Sequence, residues 1–317
     1  MRAVVTGGAG FIGSNLAAAL AAAGHSVAVI DDLSTGRGAN LDGIRSSIEF
    51  HEGDIRNEAF LDKVFARAEV VFHEAALPSV ARSVEAPYAS HDVNAGGTLK
   101  VLLAARRAGV RRVVYASSSS AYGNTPTLPK VETMPPAPLS PYAVAKLAGE
   151  YYCRVFPALY GLETVCLRYF NVFGPHQDPK SHYAAVVPIF ISRVLAGKTV
   201  RIDGDGSQSR DFTYIDNVVQ ANLLAAAAGP DTPAAGVAGE VFNIGVGRAS
   251  TISDLFRAIC RITGIDAAVE YGPPRAGDVR DSLADISKAR RLLGYDPKFD
   301  LAAGLERTIE FLRAHPA

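Results

Sequence analysis

The segment Thr6-Gly7-Gly8-Ala9-Gly10-Phe11-Ile12-Gly13 follows the short apolar run Arg2 to Val5 and opens the uncharged, helix-like stretch Phe11 to Ala23. Glycines at this spacing permit a tight turn, close backbone approach to a pyrophosphate and tight helix-on-strand packing. A helix N-terminus beside them offers free N–H groups to an anion. An ordinary turn also uses glycine, so the context carries the weight. Here Gly24 closes the helix, Ser26 to Ile30 reads as a second buried strand, and Asp31 and Asp32 end it. An acid at that point accepts hydrogen bonds from adenosine ribose hydroxyls and repels a 2′-phosphate. The unit therefore predicts an NAD site built on Gly7, Gly10, Phe11, Ile12, Gly13, Asp31 and Asp32. Asp54, with Ile55 beside it, follows the next candidate strand; it reads equally as an acceptor for the adenine amine or as a solvated loop acid.

The strand and helix rhythm continues through Val70 to Phe72, a helix near Gly97 to Ala108, the strand Arg112 to Ala116, a helix from about Tyr142 to Leu159, and the strand Thr164 to Arg168. Strands alternating with helices imply an α/β chain with a Rossmann-type, doubly wound parallel sheet. Between Thr125 and Pro141 the prolines at 126, 129, 135, 136, 138 and 141 predict an irregular loop that ends where the Tyr142 helix begins. After Gly174 the pattern loosens, with a Gly/Pro/Ala stretch from Gly229 to Gly239. We divide the chain into an NAD-binding Rossmann domain, 1–172, and a smaller α/β substrate-binding C-terminal domain, 173–317, with segments near 212–243 returning to the first.

Charge excludes some partners. Lys plus Arg and Asp plus Glu both number 32, so no basic field exists for nucleic acid or an anionic membrane. Cys153, Cys166 and Cys260 lack the spacing of a zinc site or redox pair, which fits a reducing cytoplasm and no metal. Glycines interrupt the uncharged stretch Ala3 to Ile30, so neither an export signal nor a membrane span is expected.

Tyr142 and Lys146 stand at i and i+4 on one helix face. A cation beside a phenol stabilises the phenolate and draws its pKa down from about 10 toward the range of a general base. Such a pair is also common on protein surfaces. This one opens a helix behind a proline-rich loop, after the serine run Ser117 to Ser120 at a strand end, where open α/β sheets gather their ligands. A serine run can be a polar linker, although linkers do not usually continue directly from a strand such as Val113 to Ala116.

Taken together, the chain resembles the extended short-chain dehydrogenase/reductase family, in particular the NAD-dependent UDP-hexose 4-epimerases. The likeness runs from Arg2 to about Phe311. It includes Thr6 to Gly13, Asp31, Asp54-Ile55, Ala75-Ala76, Asn94, Ser117 to Gly123, Tyr142 with Lys146, Arg168 to Pro175, Gly204 to Gly206, Arg210 to Phe212, and Gly277-Asp278. The resemblance implies that Tyr142 is the catalytic base, that Lys146 binds the nicotinamide ribose, and that Ser118 hydrogen-bonds the reacting hydroxyl. It also assigns Ala75, Ala76, Asn94, Ser117 and Tyr169 to the cofactor, and Ser119, Asn171, Arg210, Arg275 and Asp278 to the UDP-sugar. In this family a 4-keto sugar forms, turns over and is reduced on its other face. Sugar-nucleotide 4,6-dehydratases and UDP-glucuronate decarboxylases resemble the chain too, but they place a glutamate where Ser118 to Ser120 stand.

Ser282, seven residues beyond Arg275, resembles the position that gates pocket size. Its small side chain, with wider likeness to bacterial UDP-N-acetylglucosamine 4-epimerases, implies UDP-GlcNAc and UDP-GalNAc as substrates. Glu74 and Pro78 depart from that branch, where small or neutral residues are common. UDP-glucose and UDP-glucuronate epimerisation are the alternatives, and a catalytically silent NAD-binding scaffold is the alternative of another class. The family also implies a homodimer through the Tyr142 helix and the Gly97 to Ala108 helix. The Leu99, Leu102, Leu103 and Ala105 face of the latter suits either a partner or the sheet.

Overall fold

The computed structural model describes residues 1–180, 185–227, 236–273 and 279–315. Arg275, Asp278 and most of the Gly229 to Gly239 stretch lie outside these residues. The first half runs β1 (Arg2–Thr6), α1 (Phe11–Ala22), β2 (Ser26–Asp31), β3 (Ile48–Glu52), α2 (Glu58–Phe65), β4 (Val70–His73), α3 (Val80–Glu85), α4 (Pro87–His91), α5 (Thr98–Arg107), β5 (Arg112–Ser118), α6 (Pro141–Tyr160) and β6 (Glu163–Tyr169). The remainder is β7 (Val172–Phe173), α7 (Val186–Leu195), β8 (Val200–Asp203), β9 (Ser209–Arg210), β10 (Thr213–Tyr214), α8 (Ile215–Ala227), β11 (Glu240–Ile244), β12 (Ser250–Thr251), α9 (Ile252–Thr263), β13 (Val269–Gly272), α10 (Ser287–Leu293) and α11 (Leu301–Ala314).

Seven strands form one parallel sheet in the order β11-β6-β5-β4-β1-β2-β3. The direction of winding reverses between β1 and β4, and at such a switch point the loops diverge to leave a crevice at the carboxyl ends of the strands. β11, from the chain's second half, pairs in register with β6 through Glu240 opposite Val165 to Ile244 opposite Tyr169. The short strands pair β7 with β10, β9 with β12, and β8 with β13.

Alternation along each strand feeds two cores. Ala3 and Val5 of β1, with Val27 and Val29 of β2, face Leu16 and Leu20 of α1 and Val218 and Ala221 of α8. Val4, Ala28 and Ile30 face the other way, toward Leu61 and Phe65 of α2, Val101 and Leu102 of α5, and Cys153 and Phe156 of α6. A sheet covered on both faces needs apolar residues at every strand position, which is why these strands read as continuous Val/Ile runs. The first core continues without a break into Phe190, Ile191, Leu255 and Ile259. Packing therefore does not break at 172/173. On α5, Leu102 and Ala105 are buried and Leu99 and Leu103 pack against the second core, so that face belongs to the sheet.

α6 is fixed at both ends and along its length. Ser140 Oγ accepts from Ala143 N–H, Pro141 occupies the first turn where no N–H is needed, and Gly161 closes the helix at φ 69°. A Cβ at Gly149 would stand 2.3 Å from the Tyr115 hydroxyl, so glycine here lets α6 lie directly on β5. The Glu150 carboxylate accepts from Arg168 Nε at 2.8 Å and Nη2 at 2.7 Å, and from the Ser117 hydroxyl, tying α6 to β6 and β5. Both charged side chains are about 95% buried, at 5% and 4% exposure. Breaking a buried pair of this kind strands a charge, so Glu150→Ala is expected to lower unfolding free energy by about 3–5 kcal/mol in urea titration. A loss below about 1 kcal/mol would mean that the pair behaves as a surface bridge.

Candidate active site

A cavity of about 580 Å³ opens at the switch point, with the glycine loop, the ends of β2, β4 and β5, and the start of α6 in its wall. Gly7 N–H donates to Ile30 O at 2.7 Å and Gly10 N–H to Gly7 O at 3.1 Å, which curls the loop beneath α1. A Cβ at Gly13 would meet Gly7 O at 2.2 Å, so the helix can start this close to the loop only with glycine there. Phe11 and Ile12 complete the wall.

Asp31 is 7% exposed at the end of β2. Its Oδ2 accepts from Ala9 N–H and its Oδ1 from Leu33 N–H, both at 2.9 Å. Burial raises its pKa while those two bonds oppose the shift. A carboxylate oxygen has two lone pairs, so each retains acceptor capacity for a ribose hydroxyl. Asp32 lies beside it, exposed, accepting from Ser34. Asp54 is neither a bare acceptor nor merely solvated. Arg56 holds both its oxygens, with Nη2 at 2.6 Å from Oδ2, and this hydrogen bond draws the Asp54 pKa down. Arg56 reaches on to Asp92 at 2.6 Å.

Ala75 and Ala76 line the cavity; Asn94 does not. Asn94 Oδ1 accepts from Leu77 N–H at 2.8 Å and its Nδ2 donates to Leu77 O at 3.0 Å, so it shapes the wall from behind. His73 is fully buried and its pKa falls to about 3, chiefly through burial and further through Lys146. Thr98 gives its hydroxyl proton to Asn94 O, so it accepts from His73 Nε2–H, and Nδ1 accepts from Thr6. The neutral ring is a strut between β1, β4 and α5.

At the inner end, Lys146 Nζ donates to Ala116 O at 2.8 Å and lies 5.1 Å from the Tyr115 ring centre. Ser118, at the end of β5, acts on the Tyr142 phenol by opposing its upward shift. The i, i+4 spacing does bring Tyr142 and Lys146 into one wall. The expected lowering of the phenol is not seen, however. Burial pushes Tyr142 up to about 12, Ser118 opposes this, and the Glu74 carboxylate adds to it. Lys146 is itself lowered to about 8 by burial. Ser117 is in the wall, but its hydroxyl is committed to Glu150. Tyr169 lines the cavity with its phenol donating to Glu74 Oε1 at 2.8 Å.

Ser118, Ser119, Asn171, Arg210 and Ser282 stand outside this wall. Arg210 Nη1 donates to Ser209 O and Arg280 O, and Ser282 N–H donates to Ser209 O, which places Arg210 and Ser282 together. Asn171 has φ 28° in the turn between β6 and β7, where its carbonyl accepts from Thr213 N–H at 3.2 Å.

Sequence reasoning missed the strap over the cavity mouth. Pro175 O accepts from Asn15 Nδ2 at 3.0 Å, His176 Nδ1 lies 2.8 Å from Ser14 Oγ, and Asp178 is 3.7 Å from Arg37. Each pair joins segments more than a hundred residues apart, and no local pattern reports that. Among the described residues there is no group of three or more metal-ligating side chains, and no helix is long and apolar enough to cross a membrane.

The glycine cradle, the buried acid after β2 and the lysine–tyrosine end wall fit a nicotinamide dinucleotide. Gly13→Val drives a side chain into Gly7 O. Overpacking of this kind costs about 1–3 kcal/mol, so NAD affinity by fluorescence titration should fall roughly tenfold to a hundredfold. Unchanged affinity would remove the cradle from the cofactor site.

Residues 3–245 match the family model described as the NAD dependent epimerase/dehydratase family. A UDP-glucose 4-epimerase of Mycolicibacterium smegmatis is 45% identical over 318 residues, covering 99% of both chains. The UDP-glucose 4-epimerase of Thermotoga maritima, solved with UDP-glucose, superposes with a TM-score of 0.93 at 43% identity, covering 99% of each chain. The UDP-N-acetylglucosamine 4-epimerase of Methanobrevibacter ruminantium, solved with UDP-N-acetylmuramic acid, gives 0.92 at 39% identity, covering 99% of this chain and 98% of that one. With a glycine cradle, a closing acid and a Tyr-x-x-x-Lys end wall in one crevice, the chain belongs to the NAD dependent epimerase/dehydratase family.

Proposed function

We propose that this isomerase, an NAD-dependent UDP-sugar 4-epimerase, interconverts UDP-GlcNAc and UDP-GalNAc and also accepts the UDP-glucose and UDP-galactose pair. The observation that carries the epimerase reading is the Tyr142 phenol set in one wall with Lys146 at the inner end of the NAD cavity. NAD bound there supplies a reversible hydride acceptor for carbon 4 of the sugar. Ser118 orients the 4-hydroxyl, and Tyr142 takes its proton and, once the flat 4-keto sugar has turned over to be reduced on its other face, returns the proton to that same oxygen. Lys146, anchored on Ala116 O, supplies positive charge beside the phenolate and a donor for the nicotinamide ribose. Residues 1–172 bind NAD and residues 173–317 bind the UDP-sugar in this reading.

The substrate preference rests on Ser282. It is 9% exposed, with its N–H on Ser209 O, and a serine side chain lacks the volume of a phenol ring. Asn171, Arg210, Arg275 and Asp278 are assigned to the UDP moiety and Ser119 to the sugar. Proton NMR of the purified protein, without added NAD, should show UDP-GlcNAc converted faster than UDP-glucose and UDP-glucuronate. Conversion of only one of the latter would discard the N-acetyl preference. Tyr142→Phe removes a general base and should lower kcat by about 10²–10⁴-fold. Ser282→Tyr should suppress the acetamido substrate selectively; an unchanged ratio between the two sugar types counts against the gate. No turnover of any of the three sugars, with NAD supplied, would favour the silent scaffold.

The protein also acts as a homodimer in our reading. One face of α6 presents Val144, Tyr151, Val155 and Leu159, 44–66% exposed, at helical spacing, while its opposite face is buried. Val84 and Tyr88, 64% and 81% exposed, stand on α3 and α4, which pack against α6. A second copy of this face is the occupant we assign. Light scattering should give twice the mass of the chain, and Val155→Arg with Leu159→Arg should give single chains. A monomeric wild type would remove the dimer.

A further inference from the structure

Five acids stand in the cavity wall among the described residues, and four have partners suited to an anion. Asp31 accepts backbone N–H groups, Asp32 accepts from Ser34, Asp54 is held by Arg56, and Asp178 pairs with Arg37. The fifth, Glu74, follows the end of β4 in the same wall as Tyr142 and Lys146. Its described hydrogen-bond partner is a neutral phenol, that of Tyr169. That phenol oxygen in turn accepts from Asn222 Nδ2 at 2.8 Å, and Asn222 also donates to Val218 O at 3.0 Å. The relay from α8 through β6 fixes where the Glu74 carboxyl stands. The groups facing Glu74 are Lys146 and Tyr142 from α6 and Tyr169 from β6; His73, its neighbour on β4, is turned into the strut between Thr6 and Thr98.

We propose that Glu74 is a positioning residue of the reacting centre that sets the charge state of the Tyr142 and Lys146 pair. Ionised, it engages the Lys146 charge and holds back the Tyr142 phenolate. Protonated, it leaves that charge to the phenol. The electrostatics run in the same direction. Burial raises Glu74 to about 7, against the opposing effects of the Tyr169 bond and Lys146, so its charge changes near neutrality. Its carboxylate raises both Lys146 and Tyr142. A glutamine would keep the acceptor for Tyr169 and lose the charge.

The proposal rests on Tyr142 as the base, and its test includes measurements that need no turnover. In the NAD-loaded protein, tyrosinate absorbance is titrated against Tyr142→Phe as the blank. In Glu74→Gln the midpoint should fall by about one pH unit, and the acid limb of the kcat–pH profile should move with it. Glu74→Asp, which restores the charge, should return both toward wild type. Stability against pH supplies an independent reading. A carboxyl whose folded value exceeds its unfolded value binds more protons when folded between the two values, so wild type should lose stability relative to Glu74→Gln as pH rises from about 4.5 to about 7. Superimposable tyrosinate titrations in wild type and Glu74→Gln would overturn the proposal, as would equal losses of kcat in both variants with an unmoved limb. Absence of turnover with every UDP-sugar would count against the 4-epimerase reading, and the tyrosinate and stability curves would still decide the role of Glu74.

Discussion

The docking of α6 onto β5 and β6 is the constraint on which the rest of the site depends. Tyr142 and Lys146 belong to α6, Ser118 ends β5, and Ala116 O on β5 receives the lysine. None of these groups could act together if the helix slid by one turn, about 5.4 Å. Gly149 permits the close approach, and the Glu150, Arg168 and Ser117 cluster fixes its register by hydrogen bonds that have direction as well as strength. A purely apolar contact between α6 and the sheet would hold the distance and leave the register softer.

The two ends of the cavity solve different electrostatic problems. At the glycine-loop end, acids accept from backbone N–H groups and an arginine: Ala9 and Leu33 on Asp31, Arg56 on Asp54. At the reacting end, burial dominates, pushing Tyr142 up to about 12 and Lys146 down to about 8. Burial acts against the charged form of each, yet Lys146 at about 8 stays mostly protonated at neutral pH and remains the positive charge beside the phenol. The same low-dielectric surroundings make one additional carboxyl, Glu74, matter more than it would on the surface.

The chain's second half supports the first through packing rather than through a separate core. β11 extends the sheet beside β6, α8 covers one face, and the strap from Pro175 to Asp178 closes on α1 and on the loop after β2. Asp211 links further pieces by accepting from Val246, Gly247 and Ala284 N–H groups; burial raises it to about 6 against those three bonds. Ser282 and Arg210 are positioned by this scaffold, two residues and one residue from its parts.

Periodicity, glycine spacing and proline placement in the sequence were enough to indicate a doubly wound sheet, the glycine cradle, Asp31 and the Tyr142 helix, because each depends on contacts within a few residues or within one β-α-β unit. Helical spacing added Lys146, and motif resemblance supplied Ser118 and the roles expected of both. Asn94 and Ser117 belonged to the region of the site, but the hydrogen-bonding direction of their side chains came only from the fold: one closes on Leu77, the other on Glu150. The α5 face was compatible with a partner or the sheet by pattern alone, and packing gave it to the sheet. The direction of the Tyr142 phenol's shift depended on burial and on Glu74, 68 residues away in the chain, which no spacing rule couples to it. Local covalent order sets which elements form; protonation and side-chain direction follow from what tertiary structure brings within a few ångströms and removes from water.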